Sequence, residues 1–172
     1  MKDWEQAELH LVNLLNDCFG FGGKIVTNLD MQYNDIDVID HRDNTYSVKL
    51  QNYSNVTGNF AFEHTLEDTS TGDTMQGSFI KCKAHYYTVF RTFKGKVWCF
   101  LFETEKMKEY LDSKDYLSVH TKTVTEQNNI NRKYNRGHCT LVPVKDIYSL
   151  PWVTVFYNND TKWLLHLKQR IV

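Results

Sequence analysis

An α/β layered domain, a β-sheet flanked by helices, is the fold this sequence predicts, and three observations predict it. A single amphipathic helical period opens the chain. A long series of strand signals follows, with a second helical segment set among them. Across 172 residues there are only two prolines, and no repeat or low-complexity tract divides the chain, so one domain spanning 1–172 is expected.

The elements are taken in order. Asp3 is placed to cap a first helix, with Gln6 as its capping-box partner. Trp4, Ala7, Leu11, Leu14, Leu15 and Cys18 keep a helical period. Gly20, Gly22 and Gly23 then end the helix. GFGGK lacks the preceding strand and the spacing of a phosphate loop, so it reads as a terminator. Strand signals follow at KIVTNL, DIDVID and TYSVKLQ, with HRDN as the turn between the last two. GNFAFEH reads as a strand, TLEDTSTGDT as a polar loop, and GSFIKCKA as the opening of a helix. AHYYTVFRTF and KVWCFLFE predict a hairpin over FKGK, and TEKMKEYLDS a short helix. Ser113 to Arg136 is polar and irregular, after which CTLVPV and WVTVFY are late strands around a helical turn in KDIYSL, with KWLLHL last.

Composition narrows the classes. The apolar share is 41% and the charged share 24%, ordinary for a globular domain, and aromatics reach 14%. The formal net charge is −1, so a nucleic-acid role must rest on a local basic face rather than on global charge. Cys18, Cys82, Cys99 and Cys139 fit no CxxC spacing, and three of them sit in apolar runs, as buried thiols of a reducing compartment do. MKDWEQAE carries no apolar signal region and no window approaches a membrane span, so a cytoplasmic protein without membrane contact is expected. The seven histidines form no HxH or HxxxH pair, which argues against zinc, and no GxSxG motif supports acyl chemistry.

The informative segment is NDIDVIDHRDNTYSVKLQ. In the first strand Ile36 and Val38 are apolar and Asp35 and Asp37 are not; in the second, Tyr46, Val48 and Leu50 are apolar while Ser47, Lys49 and Gln51 are polar. A hairpin that buries the apolar set fixes the parity of its register, and a turn over Arg42–Asn44 pairs Asp37 with Lys49 and Asp35 with Gln51. Opposed Cβ atoms lie about 4.5–5.5 Å apart, so carboxylates, an ammonium and an amide converge on one patch. Such a patch suits phosphodiester hydrolysis, in which a hard divalent cation takes carboxylate oxygens and a lysine offsets phosphate charge. The alternative is a solvated cross-strand salt bridge, which is common and contributes little.

The order helix, strand, Asp-bearing strand, then a strand ending in x-x-Lys resembles the core of the PD-(D/E)XK restriction-endonuclease-like nucleases, here with Asp35-Ile36-Asp37 and Ser47-Val48-Lys49. TGNFAFE, QGSFIKCKAHYYTVF and the late LVP strand are similar to small phage-type members, and the resemblance covers roughly Glu5 to Phe102. It implies a central mixed β-sheet flanked by helices and a Mg²⁺-dependent DNA endonuclease, with Mn²⁺ as a substitute. Phage recombination, DNA degradation or junction resolution would be its setting, and a homodimer is one form it could take. On this reading Asp35, Asp37, Lys49, Glu63 and Gln51 are catalytic, and Asp37, Asp35 and Glu63 hold the metal. Ser47 departs from the pattern, standing where an Asp or Glu belongs. Glu63, in the strand after Lys49, is the candidate replacement, and a first-helix acid, Glu5 or Glu8, is the other.

For the substrate, Ser118–Lys145 holds Lys122, Arg132, Lys133 and Arg136 among asparagines, with Glu126 as its one acid, and suits phosphate contacts. Lys81 and Lys83 add to this face if their helix borders the site. Two further readings stay open: a catalytically inactive nucleic-acid-binding relative, which Ser47 motivates, and a protein-interaction domain.

Overall fold

The computed structural model describes residues 3–51, 58–114, 121–125 and 136–166. Helix α1 (Asp3–Phe19) is followed by β1 (Gly23–Ile25), α2 (Leu29–Tyr33), β2 (Val38–Asp40), β3 (Thr45–Leu50), β4 (Asn59–Glu67), β5 (Thr74–Gln76), α3 (Ser78–Lys81), β6 (Tyr86–Phe93) and β7 (Lys96–Glu103). Then come α4 (Thr104–Ser113), β8 (Thr121–Thr125), β9 (Arg136–Pro143), α5 (Val144–Ile147), β10 (Val153–Asn158) and β11 (Trp163–Leu165).

Seven strands form a mixed sheet in the order β1-β2-β3-β6-β7-β10-β11. Every neighbouring pair is antiparallel except β3 and β6, which run parallel with Ser47 beside Tyr87 and Lys49 beside Val89. The α/β class with a mixed sheet is therefore as expected. A second, four-stranded antiparallel sheet, β5-β4-β9-β8, was not expected.

Strand parity explains how both faces of the larger sheet are covered. On β6 and β7, Phe90, Cys99 and Leu101 point toward α1, where Ala7, Leu11, Leu14 and Leu15 form the buried stripe of an amphipathic helix. On the other face, Tyr87, Val89, Phe100 and Phe102 meet Phe60 and Phe62 of β4, together with Met107 and Leu111 of α4. Phe60 packs edge-on against Phe100 and Phe102, with ring centroids 4.8 and 5.4 Å apart. Burial on both faces is why these strands read as continuous apolar runs rather than alternating ones. Helix α1 stops at Gly20, whose φ of 71° lets its N–H bond the carbonyl of Asn16 at 3.0 Å.

Three expectations are corrected. The strand foreseen over KIVTNL ends at Ile25, and the chain turns into α2, because the Asn28 side chain caps that helix by accepting from Met31 N at 3.1 Å. DIDVID pairs only from Val38, with Asp35 in a left-handed turn at φ 60°. The polar loop TLEDTSTGDT is a hairpin instead, since β4 continues to Glu67 and returns as β5.

The hairpin register differs as well. Val38 lies opposite Tyr46 and Ile39 opposite Thr45, which aligns position 37 with 47 rather than with 49. Parity is kept but the pairing slips by two residues. Asp40 causes the slip: its carboxylate accepts from Arg42 N, Asn44 N, Asn44 Nδ2 and Tyr46 Oη, so the turn closes around Asp40–Asn44.

Candidate functional site

The site lies where β2 parts from β3. Beyond Val38 the backbone leaves the ladder, and the Asp37 carboxylate takes over by accepting from Val48 N at 2.7 Å. Its own N–H still reaches Tyr46 O at 2.8 Å, and its carbonyl accepts from Val26 N. Asp37 is thus wedged between β1 and β3.

Asp35 sits in the turn between α2 and β2, with 7% of its surface exposed. Its Oδ1 forms an ion pair with Lys49 Nζ at 2.7 Å, and its Oδ2 accepts from the buried Ser47 hydroxyl at 2.6 Å. Cys82 Sγ stands 3.9 Å from its carbonyl oxygen. Lys49 comes 6.0 Å from the ring centre of Tyr87. Asp35, and not Asp37, is therefore the ion-pair partner of Lys49. The left-handed φ of Asp35 is uncommon for a residue with a Cβ, and such conformations cluster at functional sites.

Charge accumulates around this pair. Burial raises the Asp37 carboxyl above its ordinary range; Lys49 and the Val48 N–H pull it back, while Asp35 pushes it further up. Glu8 of α1 is 8% exposed, and its carboxyl is pushed up from 4.5 to about 7 by burial and by the charges of Asp37 and Glu5, with Lys49 opposing. Burial alone would lower the Lys49 ammonium, but Asp35 and Asp37 outweigh it and raise it. Lys81, at the end of α3, lowers Asp37 from the other side. Asp35, Asp37, Glu8, Lys49 and Lys81 are thus linked through Asp37, although they come from four places in the fold: α1, the α2–β2 connection, β3 and α3.

The other residues singled out by sequence lie elsewhere or are engaged. Glu63 is on β4 of the second sheet, and its Oε2 accepts from Ser78 N at 2.9 Å, closing the start of α3. A Cβ on Gly77 would fall 2.7 Å from the Glu63 carbonyl oxygen, so only glycine allows that approach. Gln51 donates to Ala61 O at 2.6 Å and accepts from Ala61 N at 3.0 Å, which ties β3 to β4. Glu5 adds its charge to Glu8 from one turn earlier on α1. Lys83 follows α3, and its N–H bonds Asn34 O at 3.0 Å. Arg136 pairs with Glu67 at 3.3 Å on the second sheet, beside His138 at 2.8 Å from the same carboxylate. Lys122 lies on β8, opposite Cys139, while Arg132 and Lys133 fall outside the described residues.

Sequence reasoning missed Tyr33 and Tyr87. Tyr33 lies on the unforeseen α2, and the Asn28 cap with Asp30 in the first turn was the available signal. Tyr87 borders Ser47 through the β3–β6 pairing, which nothing in its own strand announces.

Among the described residues no group of three or more His, Cys, Asp and Glu side chains is placed to hold a metal ion as they stand, and no helix is long and apolar enough to cross a membrane. No family model, curated protein or solved structure matches this chain.

Proposed function

We propose that this chain is a Mg²⁺-dependent DNA endonuclease of the PD-(D/E)XK restriction-endonuclease-like kind. The observation that carries the reading is the buried Asp35–Lys49 pair, set in a strained turn with Asp37 and Glu8 beside it. A solvated salt bridge needs neither the burial nor the neighbouring acids. The element order supports the same reading: α1, β1, an acidic turn into β2, then β3 carrying Lys49.

The donor types, carboxylate oxygens, suit a hard cation. Their side chains would have to shift from the arrangement described above to gather three of them on one ion. Burial first and neighbouring acids second raise both Asp37 and Glu8, and a bound cation would favour their ionised forms. Asp35, Asp37 and Glu8 would hold the ion, with Glu8 in the place first given to Glu63. When bound, Mg²⁺ activates water and offsets charge on the phosphate. Lys49, released from Asp35, presents its ammonium to the scissile phosphate. Without the ion Glu8 is raised to about 7, so binding the cation would displace its proton.

One observation favours a second reading, a non-catalytic DNA-binding relative: Ser47 and Lys49 occupy both oxygens of Asp35. Incubation with supercoiled, linear and branched DNA, in Mg²⁺, Mn²⁺ or EDTA, separates the two. Metal-dependent cuts that vanish in Asp37→Ala and Lys49→Ala are expected, with DNA binding retained. Binding without cleavage in any metal would select the second reading.

A further inference from the structure

Beside the carboxylate cluster is a cleft of about 450 Å³, whose walls include Tyr33, Asn34, Lys81, Lys83, Gln76 and Lys108. We propose that this cleft receives an unpaired DNA strand flanking the scissile phosphate, with one base stacked on Tyr33. The proposal rests on the nuclease reading and names its substrate as single-stranded, flapped or branched DNA rather than continuous duplex.

Four observations carry it. Tyr33 is 68% exposed at the end of α2, so a large aromatic ring stands in the cleft mouth instead of in the core. Lys81 Nζ lies 5.3 Å from its ring centre, joining a cation to that ring as base-stacking platforms do. Lys81, Lys83 and Lys108 line the cleft with Glu105 alone among the lining acids, a basic balance in a chain whose net charge is −1. Lastly, the cleft adjoins the cluster: Cys82, one of its lining residues, has its Sγ 3.9 Å from the Asp35 carbonyl oxygen. Tyr33 and Asn34 run directly into Asp35, Lys83 N holds Asn34 O, and Lys81 acts electrostatically on Asp37.

The ring decides against duplex. In a paired helix the bases are stacked inside and offer Tyr33 only sugar and phosphate, which its hydroxyl can contact but on which its ring face cannot stack. An unpaired nucleotide offers a π-face to the ring and a phosphate to the lysines at once. Lys108 is partly spoken for, since its Nζ donates to Cys82 O at 2.8 Å and pairs with Glu105 at 2.9 Å, so Lys81 and Lys83 are the phosphate contacts.

The test is fluorescence anisotropy in EDTA, where nothing is cut, with a labelled single strand, a flapped duplex and a blunt duplex of one sequence. Wild-type protein should prefer the first two. Tyr33→Ala should weaken them about tenfold, within the range for one base–aromatic stack, and leave the blunt duplex unchanged, while Tyr33→Phe should retain binding. Lys83→Ala should reduce the single-strand salt slope by about 0.7. Equal loss on all three DNAs, no loss in Tyr33→Ala, or no preference in the wild type would overturn the cleft assignment. Cleavage in Mg²⁺ is scored separately: a Tyr33→Ala protein that binds and cuts every form like wild type sinks the cleft and spares the nuclease, whereas a wild-type protein with the binding preference and no cleavage does the reverse.

Discussion

Ser47 donates a 2.6 Å hydrogen bond to the one carboxylate oxygen of Asp35 that Lys49 does not hold. The residue standing where the nuclease pattern has an acid thus supports the acid twelve residues before it. Ser47→Ala should cost about 2 kcal/mol of stability, the loss of a buried hydrogen bond to a charged group. Cleavage should fall far less than in Lys49→Ala. Ser47→Asp should be less stable than wild type in EDTA and gain a larger rise in Tm on adding Mg²⁺, read by thermal melts in both buffers. An equal Mg²⁺ shift in the two proteins would place the cation away from position 47.

Lys49 neutralises a carboxylate that is almost wholly buried. Lys49→Met should lose about 3 kcal/mol, because Asp35 is left charged without its partner. Asp35→Asn with Lys49→Met should be more stable than Lys49→Met alone, since no stranded charge remains. Urea unfolding of the two single variants and the double closes the cycle. Additive losses would mean that the pair is not coupled in solution.

Glu8 predicts the pH profile of stability. Its folded carboxyl titrates near 7 against 4.5 for an ordinary glutamate. Between those values the unfolded chain has released a proton that the folded protein keeps, so stability declines as pH rises from about 4.5 to about 7. Asp37, also raised, adds to the decline. His10 and His64, both lowered by burial, contribute the opposite slope, so the readout is the difference between proteins. From pH 4.5 to 7.5 the wild-type urea midpoint should fall relative to that of Glu8→Gln. Saturating Mg²⁺ should flatten the wild-type curve, because a cation favours both ionised acids. Parallel curves for wild type and Glu8→Gln would contradict the burial of Glu8.

The basic stretch divides into residues with different duties. Arg136 already serves Glu67, so Arg136→Ala alone should weaken the second sheet, visible as a lower urea midpoint, with little change in DNA affinity. Arg132→Ala with Lys133→Ala should weaken duplex binding and lower its salt slope by about 0.9 per lost phosphate contact. An unchanged slope would remove the stretch from the DNA surface.

Elements with a strong local signal were legible in the sequence. The β6–β7 hairpin turns over Lys94-Gly95, both at positive φ, and α4 covers Thr104–Ser113 as its periodicity requires. Glu8, beside Glu5, was a candidate only through the family resemblance, whereas Asp35, Asp37 and Lys49 were legible as candidates from residue type and order. Their partners were not. The register slipped because HRDN was read as the turn, whereas Asp40 anchors it one residue earlier through four accepted hydrogen bonds. Glu63 was read as the substitute acid because parity within β4 says nothing about which sheet β4 joins. The second sheet depends on β9, whose pairing with β4 spans a sequence separation that local patterns do not record.

The pair of hydrogen bonds between Gln51 and Ala61 has a mechanical consequence. A side-chain amide has donor and acceptor spaced like a peptide group, so Gln51 adds a rung to β4 that its backbone cannot supply. That rung is fastened two residues past Lys49, immediately after the end of β3. For the smaller sheet to swing from the larger, the rung must break, and the break would be felt at the ammonium that holds Asp35. The Ala61 amide proton therefore acts as a strain gauge: its rate of exchange with solvent reports how often the two sheets part, and with that how firmly Lys49 is kept in place.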